Sequence, residues 1–272
     1  SFSAAAEKLG YTPSGIARMV NALEDELGFS LLHRTPKGVT RTADGARMLP
    51  ALREVVRWSE HAAQLSAEMR GLHVGRLSIG TYYSVAACWL PEVLKAFGRD
   101  FPGIQVETLE GGNNELLQWL TQRRVDCCFC SQRDFPADWI PLKRDPLVVW
   151  LPMNHPRAGA EAFPLAELAG APFIETLPGC DTDLEHLLAQ EQLAPDIRFS
   201  TKDNYTTYAM VAAGLGVSVN NALMAKNWNG AVAVLPFDPP RYITLGIAVP
   251  SLESLSPAMK KFIGYAKRIL TV

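Results

Sequence analysis

Hydrophobic positions recur in two rhythms, and the change between them falls near residue 75. Before it the spacing is helical. Ser3 is placed to cap a short helix over residues 4–9, which Gly10 can end in the left-handed conformation. Thr12 caps a second helix running to about Leu27, and Pro13 takes its first position, where a missing N–H costs nothing. Ile16, Met19, Val20, Leu23 and Leu27 share one face of a 3.6-residue period and leave Arg18, Asn21 and Glu24 outside it. Residues 32–41 then read as two short strands around Pro36-Lys37-Gly38, with Arg34, Lys37 and Arg41 on a basic wing. From Thr42 to about Gly71, Leu49, Leu52, Val56, Ala63 and Met69 recur at near-heptad spacing between Arg and Glu, the pattern of a packing or dimerisation helix. Pro50 should kink that helix or displace one hydrogen bond.

Beyond a hinge at GLHVGR, strand-length apolar runs alternate with helical ones. A strand at 77–80, a helix at 85–97, a strand at 104–109, a helix bearing Leu116, Leu117 and Leu120, and a nearly all-apolar strand at 125–130 follow in order. This β-α-β-α-β rhythm predicts a parallel α/β sheet. Further strands are expected at 147–151, 173–176, 197–200, 217–219, 231–235 and 243–249, a helical turn at 164–168, and helices at 183–190 and 205–213. A last helix, 256 to about 270, gathers Met259, Phe262, Ile263, Ala266 and Ile269 on one face and therefore docks on something.

The 272 residues, 48% of them apolar, suffice for two or three compact units with real cores. A net charge of -2 does not announce a nucleic-acid binder, but basic charge needs only to be local, and the wing has it. The pair of short helices before the wing has the spacing of a helix-turn-helix, whose second helix can lie in the major groove. Arg34, Lys37 and Arg41 then suit phosphates or the minor groove. No apolar run is long enough for a transmembrane helix, and nothing resembles a signal peptide, so a cytoplasmic location is expected, with no membrane partner. The five cysteines, an odd number, suit a reducing compartment.

Cys127-Cys128-Phe129-Cys130 invites a metal reading, but on a strand Cys128 and Cys130 face one way and Cys127 the other, and no second matched pair exists. Buried thiols are the better reading. The five histidines are scattered, no GxSxG, HExxH, P-loop or GxGxxG pattern occurs, and Gly214-Leu215-Gly216 stands the wrong way round for a dinucleotide loop. Neither an enzyme nor a cofactor is expected. Ligands of open α/β sheets sit beyond the carboxyl ends of strands, near helix N-termini. The strand ends here offer residues 81–84, 111–113, Cys130, Ser131, Thr176, residues 202–204 and Asn220. Any one of these could equally be a cap or turn residue, whereas the set makes a candidate pocket.

SFSAAAEKLG, the helix ending ALEDELGFSLLHRT, and TADG together resemble the LysR-type transcriptional regulators of bacteria. LPEVLKAFGRDFPGIQVETLEG, the VDCCF strand, LPMNHP and MVAAGLGVSV follow in the family's order, so the resemblance covers nearly the whole chain. It implies an N-terminal all-α winged helix-turn-helix plus long linker helix, then a C-terminal α/β region of two Rossmann-like subdomains with periplasmic-binding-protein type II architecture. The corresponding spans are 1–42 for the reading head, 43–71 for the linker, 75–150 with 245–272 for regulatory subdomain I, and 151–244 for subdomain II. The implied partners are double-stranded DNA, a small-molecule effector in the cleft, and further copies of the chain in a homodimer or homotetramer. Thr12, Ser14, Arg18, Arg34, Lys37 and Arg41 fall at DNA-facing positions. Thr81, Ser84, Gly112, Asn113, Ser131, Thr176, Asp203, Asn204 and Asn220 fall at effector-facing ones.

The departures are specific. Pro13 stands for the family's usual Gln and Ala17 for its usual Ser, and Asn220-Asn221 replaces a frequent Leu-Pro pair. The helix that opens the family's reading head has no counterpart before Ser1. The second subdomain has only Cys180, so the two-cysteine switch of the family's peroxide-sensing branch is not expected. A two-lobed small-molecule binding protein without competent DNA binding would share the pattern from about residue 75 onward, but the N-terminal helices argue against it.

Overall fold

The computed structural model describes residues 1–35, 38–71, 73–225, 228 and 231–271, which form two compact units, Ser1–Ser59 and Glu60–Val272. The first unit contains α1 (Phe2–Leu9), α2 (Pro13–Leu27), the hairpin β1 (Leu32–Thr35) and β2 (Gly38–Arg41), and the start of α3 (Ala43–Met69). Ser1, not Ser3, caps α1: its hydroxyl accepts from the Ala4 N–H at 3.2 Å, and Ser3 lies inside the first turn. α2 starts and stops where expected, with Thr12 accepting from the Gly15 N–H and Gly28 left-handed at φ 79. Of its apolar face Ile16 is buried and Met19 is 51% exposed. The Glu24 carboxylate accepts from the N–H groups of Leu31 and Leu32, which fixes the hairpin against the end of α2. Thr42 caps α3 through the Gly45 N–H at 2.8 Å, and the helix continues through Pro50.

The second unit is built on an eight-stranded sheet. As expected, β3 (Gly75–Thr81) runs parallel to β4 (Ile104–Glu110) and β5 (Cys127–Ser131). The sheet as a whole is mixed, however, because its last strand, Tyr242–Val249 (β12), is antiparallel to both β5 and β6 (Asp138–Pro152). β6 is 15 residues long rather than the five read from the sequence. Its first part pairs with β12; its second part pairs with β10 (Ser218–Asn221) and β11 (Val232–Asp238). With β7 (Phe163–Pro164) at the edge, the strand order is β4-β3-β5-β12-β6-β11-β7, and β10 lies off this path on β6. Pro141, Lys143, Arg144 and Pro146 interrupt the apolar pattern of the first part of β6 and disguise it as loop.

Two lobes follow from that long strand. In the first, residues 83–100 form two helices rather than one, α4 (Tyr83–Cys88) and α5 (Leu90–Asp100), broken at Trp89. Pro91 has no N–H to donate to the preceding turn and sits in the first turn of α5, where that loss costs nothing. α6 (Asn113–Thr121) lies between β4 and β5. In the second lobe, β7 leads into a single 3-10 turn, Leu165–Leu168, and β8 (Pro172–Thr176) pairs in parallel with β9 (Asp196–Thr201). α7 (Asp183–Glu191), α8 (Asn204–Ala212) and the one-turn α9 (Ala222–Ala225) complete it.

The chain then returns, and α10 (Pro257–Leu270) packs Met259, Phe262, Ile263 and Ala266 into the first-lobe core with Leu77, Ile79 and Phe97. Phe97 and Phe262 meet edge-to-face at 5.3 Å. The end of α3 is attached here as well: the buried Gln64 accepts from the Ala258 N–H, and Lys261 pairs with Glu68 at 2.7 Å. In the second lobe β6 sends Val149 and Leu151 to a core with Phe163, Phe173 and Phe237, and Trp150 to a core with Tyr208 and Val211. The cysteine strand behaves as its alternation predicts. Cys127 faces the first-lobe core and Cys128 and Cys130 the opposite one, and burial pushes all three thiols up, Cys130 to about 12.

Candidate functional site

On the helix-turn-helix unit, Ser14, Arg18 and Arg41 are exposed. Thr12 is already engaged, with its hydroxyl on the Gly15 N–H and 3.2 Å from the Ser14 hydroxyl. Arg34 is held internally: its guanidinium donates to Asn21, lies 3.5 Å from Glu24 and sits over the Phe2 ring at 5.0 Å. Lys37 lies outside the described residues. Two of the six expected DNA-facing residues therefore also stabilise the unit itself.

Between the lobes of the α/β unit is a cavity of about 280 Å³. Six of the nine expected effector residues line it: Gly112 and Asn113 from the first lobe, and Thr176, Asp203, Asn204 and Asn220 from the second. They meet because each stands at a strand end or a helix start facing the gap. Gly112 precedes α6, and a Cβ there would stand 3.0 Å from Cys180, so the two lobes approach closely at this point. Asp203 caps α8, accepting from the Thr206 N–H at 2.6 Å, and Thr182 caps α7 in a reciprocal pair with Glu185.

The other three expected residues are placed differently. Thr81 is buried, its hydroxyl donating to the Tyr82 carbonyl at 3.3 Å. Ser84 is buried and accepts from the Asn221 amide at 3.2 Å. Ser131 donates to Asp183 at 2.6 Å and faces a second cavity of about 440 Å³, whose guanidiniums, Arg133 and Arg241, are each paired with carboxylates.

What the sequence reading missed is the set of polar contacts that joins the lobes. Arg133, only 11% exposed, reaches from the first lobe to Asp181 at 2.9 Å and Asp183 at 3.0 Å in the second. Asn113 donates to the Asp181 carbonyl and Asn114 to that of Gly179. Leu177 and Asp181 take positive φ values of 54 and 55, the left-handed conformation, to turn this loop toward the partner lobe. Burial alone would raise the Asp181 carboxyl, but hydrogen bonds from His186 and Arg133 hold it below its ordinary value. The contribution to closure is therefore present at neutral pH and is lost as pH falls through the lowered value.

Asp145 sits at the junction of the two halves of β6 and shifts the opposite way. Burial pushes its carboxyl up, although it accepts from the Leu223 N–H at 3.1 Å and the Asn221 amide at 2.6 Å. A raised carboxyl favours the protonated fold, so its contribution weakens as pH rises from about 4 through the folded value. Asp145→Asn, isosteric with the protonated acid, should gain stability relative to the parent over that window. Urea midpoints at stepped pH check this, and parallel curves would contradict it. Among the described lining residues there is no thiol or hydroxyl activated by a base; burial, then Glu115 and Glu185, raise the Cys180 thiol. The arrangement suits binding.

Two family models match the chain. Residues 1–46 match the bacterial regulatory helix-turn-helix protein, lysR family, and residues 70–270 match the LysR substrate binding domain. The HTH-type transcriptional regulator YvbU of Bacillus subtilis (strain 168) is 29% identical over 275 residues, covering 99% of this chain and 93% of that protein. A full-length OxyR point variant from Pseudomonas aeruginosa superposes with a TM-score of 0.79 at 21% identity, covering 100% of this chain and 92% of that one. Full-length CbnR, solved as a complex with its target DNA, superposes at 0.67 and 21% identity, covering 98% and 94%. The helix-turn-helix with its wing, the long helix and the two-lobed α/β unit thus occur in one chain in the order both models require, and the chain belongs to the LysR family of transcription regulators.

Proposed function

We propose that this regulator binds its effector in the 280 Å³ inter-lobe cleft, through Gly112, Asn113, Thr176, Asp203, Asn204 and Asn220. Thr81, Ser84 and Ser131 act behind them, holding the loops that carry the lining. The carrying observation is a pair of side chains on opposite walls. Asn113 and Asn220 are 7% and 8% exposed, yet Asn113 Oδ1 and Asn220 Nδ2 have no hydrogen-bond partner. Each such buried group costs about 1–3 kcal/mol, which a polar ligand between the lobes can return. An effector changes the regulator's output only by preferring one lobe arrangement over another. Arg133, Asp181 and Asp183 make the contacts that differ between open and closed arrangements. The cleft binds without catalysing, and the protein works in the cytoplasm. No helix among the described residues is long and apolar enough to cross a membrane.

In this reading residues 1–42 are the DNA-reading head, 43–71 the linker helix that pairs subunits in a homodimer or homotetramer, 75–150 with 245–272 one regulatory subdomain, and 151–244 the other. Ser14 and Arg18 reach base edges from α2, Thr12 sets its start, and Arg34, Lys37 and Arg41 meet phosphates. Selection from a promoter library at two salt concentrations tests this directly. Sequence-selective binding that weakens steeply with salt is expected, and its absence would leave a ligand-binding protein without DNA reading. On the selected site, Arg18→Ala should cost about 1–3 kcal/mol and relax specificity at one position. Arg41→Ala should weaken all sequences alike and reduce the salt slope by about one. Fluorescence anisotropy distinguishes the two behaviours.

A further inference from the structure

The charges around the cleft are unequal. Its described lining carries four carboxylates, Glu110, Glu115, Asp183 and Asp203, against one amine, Lys202. Among the described residues, only Asp183 is matched by a cation, Arg133. Glu115 accepts from the Gly112 N–H at 3.1 Å and Asp203 from the Thr206 N–H, while Glu110 is exposed and has no polar partner among the described residues. At the N-termini of α6, α7 and α8, which would otherwise favour an anion, Glu115, Thr182 and Asp203 each serve one N–H, and two of these three caps are carboxylates.

Aromatic, polar and apolar groups complete the lining. Tyr82 and Tyr83 line the cavity, and the Tyr83 ring lies against Trp228 at a centroid distance of 5.7 Å. Burial raises the Tyr83 hydroxyl, and the next contributions come from Asp203 and Glu110, one on each lobe. Both carboxylates therefore act on the same aromatic side chain. Of the buried, unpartnered polar atoms on lining residues, Asn113 Oδ1 is an acceptor that lacks a donor, the Tyr82 hydroxyl can act either way, and Asn220 Nδ2 on the other wall is a donor. Leu147, Val219 and Met224 supply an apolar surface beside these groups.

We propose that the ligand of this cleft is an organic cation, an amine or quaternary ammonium compound with a compact apolar body; this rests on the reading of the cleft as the effector site. The cationic nitrogen lies against the tyrosine rings and between Glu110 and Asp203, and the body rests on the apolar surface. Glu110 belongs to the first lobe and Asp203 to the second, so without a ligand their charges oppose closure. A cation between them removes that opposition and favours the closed arrangement, which is the differential affinity that effector action requires.

Three probes with one phenyl body test the assignment: benzylammonium, benzyl alcohol and benzoate, titrated calorimetrically into the full chain at fixed ionic strength. Benzylammonium should bind about tenfold or more tighter than benzoate. Glu110→Gln, at an exposed side chain without a hydrogen bond to lose, should weaken benzylammonium several-fold and leave benzyl alcohol unchanged. Lys202→Ala should leave benzylammonium as tight or tighter. If benzoate binds tightest and Lys202→Ala abolishes it, the cation assignment fails and the cleft reading stands. If none of the three binds, or if binding survives Gly112→Trp in a chain that remains folded, the cleft reading fails and the cation assignment with it.

Discussion

Arg133→Ala should lower the stability of the α/β unit by about 3 kcal/mol, because removing one partner leaves Asp183 buried without its counter-charge. The guanidinium makes charge-assisted bonds to two carboxylates and donates to the Asp181 carbonyl, all across the gap between lobes. An exposed ion pair would be worth far less. Here the Arg133 and Asp183 side chains are 11% and 15% exposed, and the loop they hold carries left-handed residues at 177 and 181. Urea unfolding measures the loss. The double variant Arg133→Ala with Asp183→Asn should recover part of it, since the stranded charge is then gone. Recovery in the double variant separates this explanation from simple loss of packing, and a double variant no better than the single one would count against it. Ligand affinity should also fall in the single variant, because the closed arrangement is less populated before the ligand arrives.

Gly246→Ala should cost about 3 kcal/mol or more through overpacking against atoms that cannot move aside. The register between β12 and β6 shifts at Leu245/Gly246. A Cβ at 246 would stand 2.4 Å from the Ile140 carbonyl oxygen and 2.6 Å from the Trp139 ring. Relief demands separating the two strands that link the lobes. Hydrogen exchange should therefore show loss of protection along β6 and β12 together, whereas Gly98→Ala, on α5 with nothing within 4 Å, should be neutral or stabilising. Equal effects of the two substitutions would contradict the steric account.

Local signals account for the elements that were legible in advance. Thr12-Pro13 and Gly28 bracket α2 because a cap oxygen, a locked φ and a left-handed glycine act within a few residues of each other. The alternation in Cys127-Cys128-Phe129-Cys130 separates its thiols between two cores for the same reason, the period of a strand. The misses have two other causes. β6 is read short because its polar half is held by pairing with β12, a partner about a hundred residues away, and pairing partners leave no mark on the local pattern. The break at Trp89 was signalled by Pro91, and a continuous apolar face hid it.

The same division runs through the site. Of the nine residues that family resemblance and the strand-end rule expected to face an effector, six line one cavity. Thr81, Ser84 and Ser131 stand at equivalent strand or helix ends, yet their hydroxyls are satisfied by neighbours that only the folded chain supplies.

By itself the sequence determined most of the elements, the bounds of α2 and the family, because these depend on side-chain period and on motifs within a few residues. The tertiary structure alone decided that Arg133 joins the lobes through Asp181 and Asp183, that Asp145 is raised, and that the cleft wall is acidic. Those properties come from through-space electrostatics and burial among residues up to about ninety positions apart, and distance along the chain carries no record of them.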